Sequence, residues 1–174
     1  GCGSIGSYVF HNLIKSGCKN ITLVDNDILK PENIFRHFLG AESTYSYKTV
    51  SLANYAKKAL PEINIKTISE KIEDVINDFN FDDFDYIISA TGNHTINIWL
   101  NKYLLENKIL KTLFYIWNEP LDIGCHVARI NIKDGNNYQN IFSINHDRIL
   151  DLSSYVKNGQ NFTKMYSGCN GTFI

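Results

Sequence analysis

GCGSIGSYVFHNLIKSGCKNITLVDND, residues 1–27, is the stretch that decides the fold. Gly1, Gly3 and Gly6 form the spacing G-x-G-x-x-G ahead of an amphipathic segment, and Asp25 follows about 20 residues later at the end of an apolar run. Glycines let the backbone approach a phosphate at a helix N-terminus, and an acid at the end of the next strand accepts hydrogen bonds from ribose hydroxyls. The stretch therefore predicts a nucleotide site, and the alternative is a tight turn that binds nothing.

Helix and strand patterns alternate along the rest of the chain. Val9, Leu13 and Ile14 are expected to form the buried stripe of the first helix. Helices are predicted over residues 7–17, 30–40, 47–62, 71–79 and 94–108, and strands over residues 20–27, 63–68, 86–93, 111–120, 124–132 and 140–147. The tail from Leu150 onward is weakly patterned and is interpreted as loop.

This order of elements predicts an α/β fold. We expect a Rossmann-like, doubly wound, mostly parallel sheet with mixed strands in the second half. An apolar strand normally precedes such a glycine motif. We therefore expect that the first strand is missing and that residues 1–174 are one nucleotide-binding domain from a longer chain.

The composition argues against several classes of partner. The chain has 174 residues, of which 44% are hydrophobic and 20% charged, and a formal net charge of −1. It has no basic footprint for nucleic acid and no apolar run long enough to span a bilayer. Cys2, Cys18, Cys125 and Cys169 lack C-x-x-C spacing, and the histidines show no ligand spacing. We predict no protein metal site and a cytoplasmic location.

The segment DNDILKPENIFRHFLG, residues 25–40, places Asp25, Asp27, Asn33, Arg36 and His37 just beyond the acidic strand end. It resembles a pattern of the ThiF/MoeB/HesA and ubiquitin-activating-enzyme family, D-x-D, then Asn, then Arg followed by Gln or His. The resemblance implies that Asp25 holds the ribose of ATP, with Asp27 in the same site, and that Asn33 and Arg36 approach the phosphates. The planar fork of Arg suits phosphate oxygens. The alternative is a solvated, charged helix.

Lys48, at the start of the next predicted helix, continues the resemblance, because the family has a phosphate-binding Lys there. Lys57 and Lys58 are better interpreted as an exposed face.

In IISATGNHT, residues 87–95, better-known relatives carry two aspartates and an Asn, whereas this chain has Ser89, Gly92 and Asn93. Asn93 alone matches, as a nucleotide contact. Three alternatives follow for magnesium: Asp27 or another acid holds the ion, the ATP phosphates and water hold it, or the domain is degenerate and does not catalyse.

The segment FYIWNEPLDIGCHVARI, residues 114–130, is similar to a bacterial branch fused to ubiquitin-conjugating-like domains, including anti-phage transferases. Trp117 and Pro120 are equally explained as core and turn. In that branch a cysteine can accept the activated carboxyl as a thioester, and Cys169 between two glycines is our candidate, with a structural role as the alternative. Cys125 is the competitor, although its neighbours suggest burial. Cys2 either has a lowered pKa at the helix N-terminus or is simply a small residue that faces the nucleotide.

The resemblance implies an ATP-dependent, Mg2+-assisted enzyme that adenylates a protein C-terminus, of a ubiquitin-like, sulfur-carrier-like or other partner. Family members are typically dimers in which an Arg reaches the partner's site, so a homodimer is expected. An NAD-dependent oxidoreductase shares the glycine fingerprint but leaves Asn33, Arg36 and Lys48 without a role. A non-catalytic pseudo-activating subunit is the third hypothesis.

Overall fold

A computed structural model describes residues 1–118, 124–141, 164–165 and 172–173. The chain divides into two units, Gly1–Phe79 and Asn80–Ile174. The assignment of residues 1–174 to one domain stays a prediction. Among the described residues, no helix has the length and apolar character needed to cross a membrane.

The first unit is built from two strand-helix repeats. Its elements are α1 (Ser4–Lys15), β1 (Asn20–Val24), α2 (Lys48–Ala59), β2 (Asn64–Ile68) and the short α3 (Ile72–Val75), which a 3₁₀ turn over Ile76–Asp78 extends. Strands β1 and β2 pair in parallel, from Asn20 opposite Asn64 to Val24 opposite Ile68. The carboxyl end of β1 therefore presents Asp25, as the sequence predicts.

Helix α1 is capped by a glycine at its C-terminus, and one of its faces is buried in the core. Gly17 has φ +93°, and the N–H groups of Gly17 and Cys18 donate to the carbonyls of Ile14 and Leu13, a Schellman cap. The helix buries Phe10 and Ile14, with Gly6 and Ser7, whereas Val9 and Leu13 are only partly buried. The buried face of the helix is thus rotated by about one residue from the predicted stripe, and Phe10 packs in the core instead of Val9 and Leu13. That core consists of Cys2, Phe10, Ile14, Leu23, Leu29, Leu39, Leu52, Ala56 and Ile63.

Residues 30–40 do not form the predicted helix. Only Pro31–Asn33 makes a 3₁₀ turn, and turns follow it. The first N–H groups make short backbone turns, such as the bond from His37 to the Asn33 carbonyl at 2.9 Å. The N–H of Phe38 then donates to Ser7 Oγ and that of Leu39 to His37 Nδ1, both at 3.1 Å, so side chains take the next two donors and the helix does not continue.

The second unit contains a mixed sheet. Its elements are β3 (Tyr86–Ser89), α4 (His94–Glu106), β4 (Thr112–Asn118), β5 (Cys125–Asn131), β6 (Lys164–Met165) and β7 (Thr172–Phe173). Strand β4 pairs in parallel with β3 and antiparallel with β5, and β6 pairs antiparallel with β7. The predicted α/β class, with parallel pairs first and mixed strands later, is confirmed.

Two expectations for the second half are wrong in part. Asn140 and Ile141 end a 3₁₀ turn, so the strand predicted over 140–147 does not begin there, and its remaining residues lie outside the described part of the chain. The tail interpreted as loop contains β6 and β7. Short paired segments of this kind lack the long alternation that sequence patterns detect.

The packing of α2 in the first unit can be tested by two matched substitutions, one at a buried position and one at an exposed position of this helix. Leu52 is fully buried, whereas Val50 is 39% exposed. We expect Leu52→Ala to lower the free energy of unfolding by about 2–5 kcal/mol, because it leaves a cavity, and Val50→Ala to change it by less than about 0.5 kcal/mol. Urea-induced unfolding of the two variants measures this difference. Equal losses would contradict the described packing.

Candidate nucleotide-binding site

Asp25, at the end of β1, holds the glycine loop. Its Oδ2 accepts a hydrogen bond from the backbone N–H of Cys2 at 2.6 Å, and its Oδ1 accepts from the N–H of Asp27 at 2.8 Å. A carboxylate has about four lone-pair positions, so two backbone donors leave capacity for a ligand hydroxyl. The role of Asp25 toward a ribose stays a prediction, but its contact with the loop was not predicted.

The start of α1 is suited to an anion. Gly3 is the N-cap residue, no side chain caps the helix, and its first turn carries no acidic residue. A Cβ added to Gly3 would find no atom within 4 Å, so its surroundings are open space. The first N–H groups of a helix lack partners within the helix and carry a partial positive charge. This arrangement, in which Gly1 and Gly6 flank Gly3, can therefore bind a phosphate at backbone distance.

Lys48 supplies a fixed cation to the same unit. It is the first residue of α2 and only 7% exposed, and its Nζ lies 2.7 Å from Asp27 Oδ2. The N–H of Lys48 also donates to the carbonyl of Asp27 at 3.0 Å. The loop after β1 thus positions this ammonium group, and a phosphate that binds it must compete with the carboxylate of Asp27.

Asn33 and Arg36 lie on the irregular segment that follows. Asn33 is buried, and its Oδ1 accepts from the N–H of Lys30 at 3.1 Å. Arg36 is exposed, and its Nη1 donates to the carbonyl of Glu32 at 3.2 Å. The structure places both side chains in the first unit with Asp25, Asp27 and Lys48. Their contacts with phosphates stay predictions.

His37 is a residue of this region whose role the sequence did not reveal. Its ring is buried, with Nε2 at 2.8 Å from the carbonyl oxygen of Cys2 and Nδ1 accepting from Leu39. Burial lowers the pKa of His37, and the nearby Lys48 and Arg36 charges lower it further, against the opposing effects of the Cys2 carbonyl and Asp25. The one available signal was the Gln or His that the family pattern places after Arg.

In the second unit, Ser89, one of the two positions that differ from the family pattern, belongs to a hydrogen-bond network without a carboxylate. Ser89 is buried and its Oγ donates to Asn97 Oδ1 at 2.7 Å, while Asn97 Nδ2 donates to the hydroxyl of Tyr138 at 3.2 Å. Gly92 has φ +65°, a conformation that disfavours an aspartate. Asn93 caps α4, since its Oδ1 accepts from the N–H groups of Thr95 and Ile96 at 2.9 and 3.3 Å. Its contact with a nucleotide stays a prediction.

The described residues fit ATP better than they fit a protein cage for magnesium. They contain no group of three or more His, Cys, Asp or Glu side chains that could hold a metal ion. Asp27, one of the acids considered for this role, is paired with Lys48. Magnesium prefers several oxygen ligands, so an ion that entered with ATP would take most of them from phosphates and water.

The cysteines differ in their environment. Burial raises the pKa of the Cys2 thiol to about 11, so the lowered pKa considered for it is wrong, because desolvation of the thiolate is the largest effect and the Asp25 charge adds to it. Cys125 lies in β5 as predicted but is exposed, because it stands at the end of the strand where alternate residues face outward. Cys169, Glu119 and Pro120 lie outside the described residues, whereas Trp117 is buried in β4.

Comparison with known proteins identifies relatives of the chain. It is 34% identical over 104 residues to the ATP-dependent ubiquitin transferase-like protein Cap2 of Pseudomonas aeruginosa, covering 58% of this chain and 18% of that protein. It is 27% identical over 110 residues to the molybdopterin-synthase adenylyltransferase of Haemophilus influenzae, covering 63% of this chain and 45% of that protein.

The structure is similar to that of MccB from E. coli. MccB with ATP gives a TM-score of 0.60 at 25% identity, covering 68% of this chain and 36% of that one. MccB with AMPCPP and MccA gives 0.61 at 25% identity, covering 69% and 35%. This chain spans less than half of the length of each of these relatives. A model of the ThiF family matches residues 1–163, which confirms the resemblance seen in the sequence, and the chain therefore belongs to the ThiF family.

Proposed function

We propose that this protein uses ATP to adenylate the C-terminal carboxylate of a partner protein. The observation that carries the proposal is the combination of an uncapped, glycine-flanked helix N-terminus with the buried Lys48 ammonium in one unit. Lys48 acts electrostatically on this loop. Burial is the first cause of both pKa shifts there, and the Lys48 charge adds to the lowering of the His37 pKa and opposes the raising of the Cys2 pKa. The site therefore offers positive charge where a triphosphate carries negative charge.

The reaction needs little covalent help from the protein. A carboxylate oxygen of the partner attacks the α-phosphorus of ATP, and the bond from that phosphorus to the oxygen that bridges to the β-phosphate breaks. The products are an acyl-adenylate and pyrophosphate, and no proton has to move. The protein's task is to align the reactants and to neutralise charge that develops on the phosphates.

Each residue then has a defined part in binding. Gly1, Gly3 and Gly6 let backbone N–H groups reach the nucleotide, and Asp25 accepts from the ribose. The phosphates are bound by Asn33, Arg36 and Lys48. Magnesium enters with ATP and is held mainly by phosphate oxygens and water, in keeping with the pairing of Asp27 with Lys48.

The relatives support a protein or peptide as the second substrate. One is described as ubiquitin transferase-like, and another was solved together with MccA. We propose a ubiquitin-like, sulfur-carrier-like or other protein C-terminus, bound in the cytoplasm by a homodimer. A later thioester would form on Cys169, by attack of its thiolate on the acyl carbon with AMP as the leaving group.

A pseudo-activating subunit is the second candidate, because the acids of the family pattern are replaced by Ser89 and Gly92. The network of Ser89, Asn97 and Tyr138, whose hydroxyl also lies 2.6 Å from His94 Nδ1, contains no carboxylate that could bind an ion. Such a subunit would bind ATP without turnover. The oxidoreductase hypothesis leaves the buried Lys48 unexplained.

Exchange of labelled pyrophosphate into ATP tests the proposal. With the full-length protein and a partner encoded beside it, we expect exchange to fall about 100-fold in Lys48→Met and in Arg36→Ala, because each loses a cation that stabilises the phosphates. Lys57→Met is the control, since Lys57 is exposed on the same helix, and Cys169→Ala should retain exchange. Exchange that survives Lys48→Met, or ATP binding without any exchange, would contradict the proposal.

The burial of Cys2 leads to a separate prediction about the reactivity of its thiol. With a pKa near 11, against an ordinary value of 9.0, Cys2 should react with iodoacetamide about 100-fold more slowly than an unburied thiol in the native protein at mildly alkaline pH. Mass spectrometry of peptides quantifies the labelling, with the exposed Cys18 of the same molecules as the internal control. Equal rates in the native state would contradict burial of Cys2, whereas equal rates after denaturation are expected.

A further inference from the structure

The ring of His37 has two hydrogen-bond partners of opposite type. A backbone N–H only donates, so Nδ1 must accept from Leu39 at 3.1 Å, and a carbonyl only accepts, so Nε2 must donate to Cys2 at 2.8 Å. The neutral ring with its proton on Nε2 is the single form that satisfies both contacts. The geometry thus assigns both the charge and the tautomer of a buried histidine.

We propose that His37 is a positioning residue for the glycine loop: the neutral ring fixes the Cys2 carbonyl, and protonation of the ring loosens the nucleotide site. This inference rests on the proposed function of the loop in binding ATP. It concerns a side chain that need not touch the nucleotide itself.

The backbone around Cys2 is held on both sides. Its N–H donates to Asp25 Oδ2 at 2.6 Å, while its carbonyl accepts from His37. Next to His37, the N–H of Phe38 donates to Ser7 Oγ of α1 at 3.1 Å, so the segment that contains His37 is itself attached to the helix. Gly1 and Gly3 flank Cys2 and bring little rigidity of their own, so these outside contacts set the shape of the loop.

Protonation would break this arrangement at Nδ1. A proton there would face the N–H of Leu39, so two donors would meet and the ring would have to turn, taking Nε2 away from the Cys2 carbonyl. The charged and titratable groups around the ring are Cys2, Asp25, Lys48 and Arg36. Burial lowers the pKa of His37 below its ordinary value of 6.5, and Lys48 and Arg36 act in the same direction, so the ring is neutral at physiological pH.

The sign of the pH effect follows from that direction. The unfolded chain takes up a proton on His37 near pH 6.5, and the folded protein does so only at lower pH. The stabilisation by the neutral ring is therefore complete above this value and is lost as the pH falls through the lowered pKa. We expect nucleotide affinity to weaken over the same acidic range.

Two amide substitutions separate the functions of the two ring nitrogens. In His37→Gln the side-chain nitrogen takes the place of Nε2 and can donate to Cys2, without a titratable group. In His37→Asn the shorter side chain places its oxygen near the position of Nδ1, so it can accept from Leu39 but does not reach Cys2. The pair therefore distinguishes support of the loop from support of the local turn.

The experiment measures the Kd of the full-length protein for ATP with magnesium by calorimetry. At about pH 7.5, where the ring is neutral, we expect His37→Gln to restore most of the binding that His37→Asn loses, and His37→Asn to bind about tenfold more weakly than the wild type. The affinity of the wild type relative to His37→Gln should then fall by about threefold or more as the pH is lowered stepwise from 6.5 through the lowered pKa of His37, because only the wild type protonates position 37. Titration of ATP itself affects both proteins equally and cancels in this ratio.

Equal affinity of His37→Asn and the wild type, or a ratio that does not change with pH, would overturn the inference while leaving ATP binding in place. No ATP binding by folded wild type at any pH would instead overturn the proposed function, and the role of His37 in nucleotide binding with it. If the variants do not fold, nitrogen NMR of the wild type decides: a neutral ring with its proton on Nε2, lost together with ATP affinity as the pH falls, supports the inference. A proton on Nδ1 at neutral pH contradicts it.

Discussion

The carboxylate of Asp25 is the contact on which the candidate site depends. It lies at the end of β1 and binds two backbone N–H groups, one in the glycine loop and one at Asp27. Hydrogen bonds to a charged group contribute about 1.5–3 kcal/mol each, enough to fix a loop that contains glycines. Asp27 in turn holds the ammonium of Lys48. The residues that the sequence assigns separately to ribose and phosphate are therefore members of one connected array, and removal of Asp25 would displace the others.

Much of the fold was predictable where local signals agree with tertiary structure. Gly17 caps α1 and Pro61 follows the end of α2, so these boundaries are written in the sequence. The segment 30–40 was not, because its backbone N–H groups form only short turns with one another, while those of Phe38 and Leu39 donate to Ser7 Oγ and His37 Nδ1. The exposure of Cys125 likewise depends on its place at the strand end, which apolar neighbours do not reveal. Family membership was predictable because the spacing from Asp25 to Lys48 is specific.

The sequence names the residues of the candidate site but not how they are organised. Sequence reasoning named Asp25, Asp27 and Lys48, but the contacts among them and with the backbone require three dimensions. His37 was missed as a functional residue because a lone histidine on an irregular segment has no periodic signal. The network of Ser89, Asn97, Tyr138 and His94 in the second unit contains no carboxylate, and its buried polar groups are hydrogen-bonded to one another. In the proposed reaction, Lys48 and Arg36 of the first unit are therefore the main side chains that neutralise the charge of the phosphates.

The central claim is that a carboxylate oxygen attacks the α-phosphorus of ATP, and the fate of that oxygen tests it most directly. A partner protein with heavy oxygen in its terminal carboxylate would be incubated with the enzyme, ATP and magnesium, and the adduct released with hydroxylamine, which attacks the acyl carbon. The account predicts AMP that carries a heavy oxygen atom, together with a hydroxamate at the partner's C-terminus. Release of ADP, or of AMP without heavy oxygen, would contradict it.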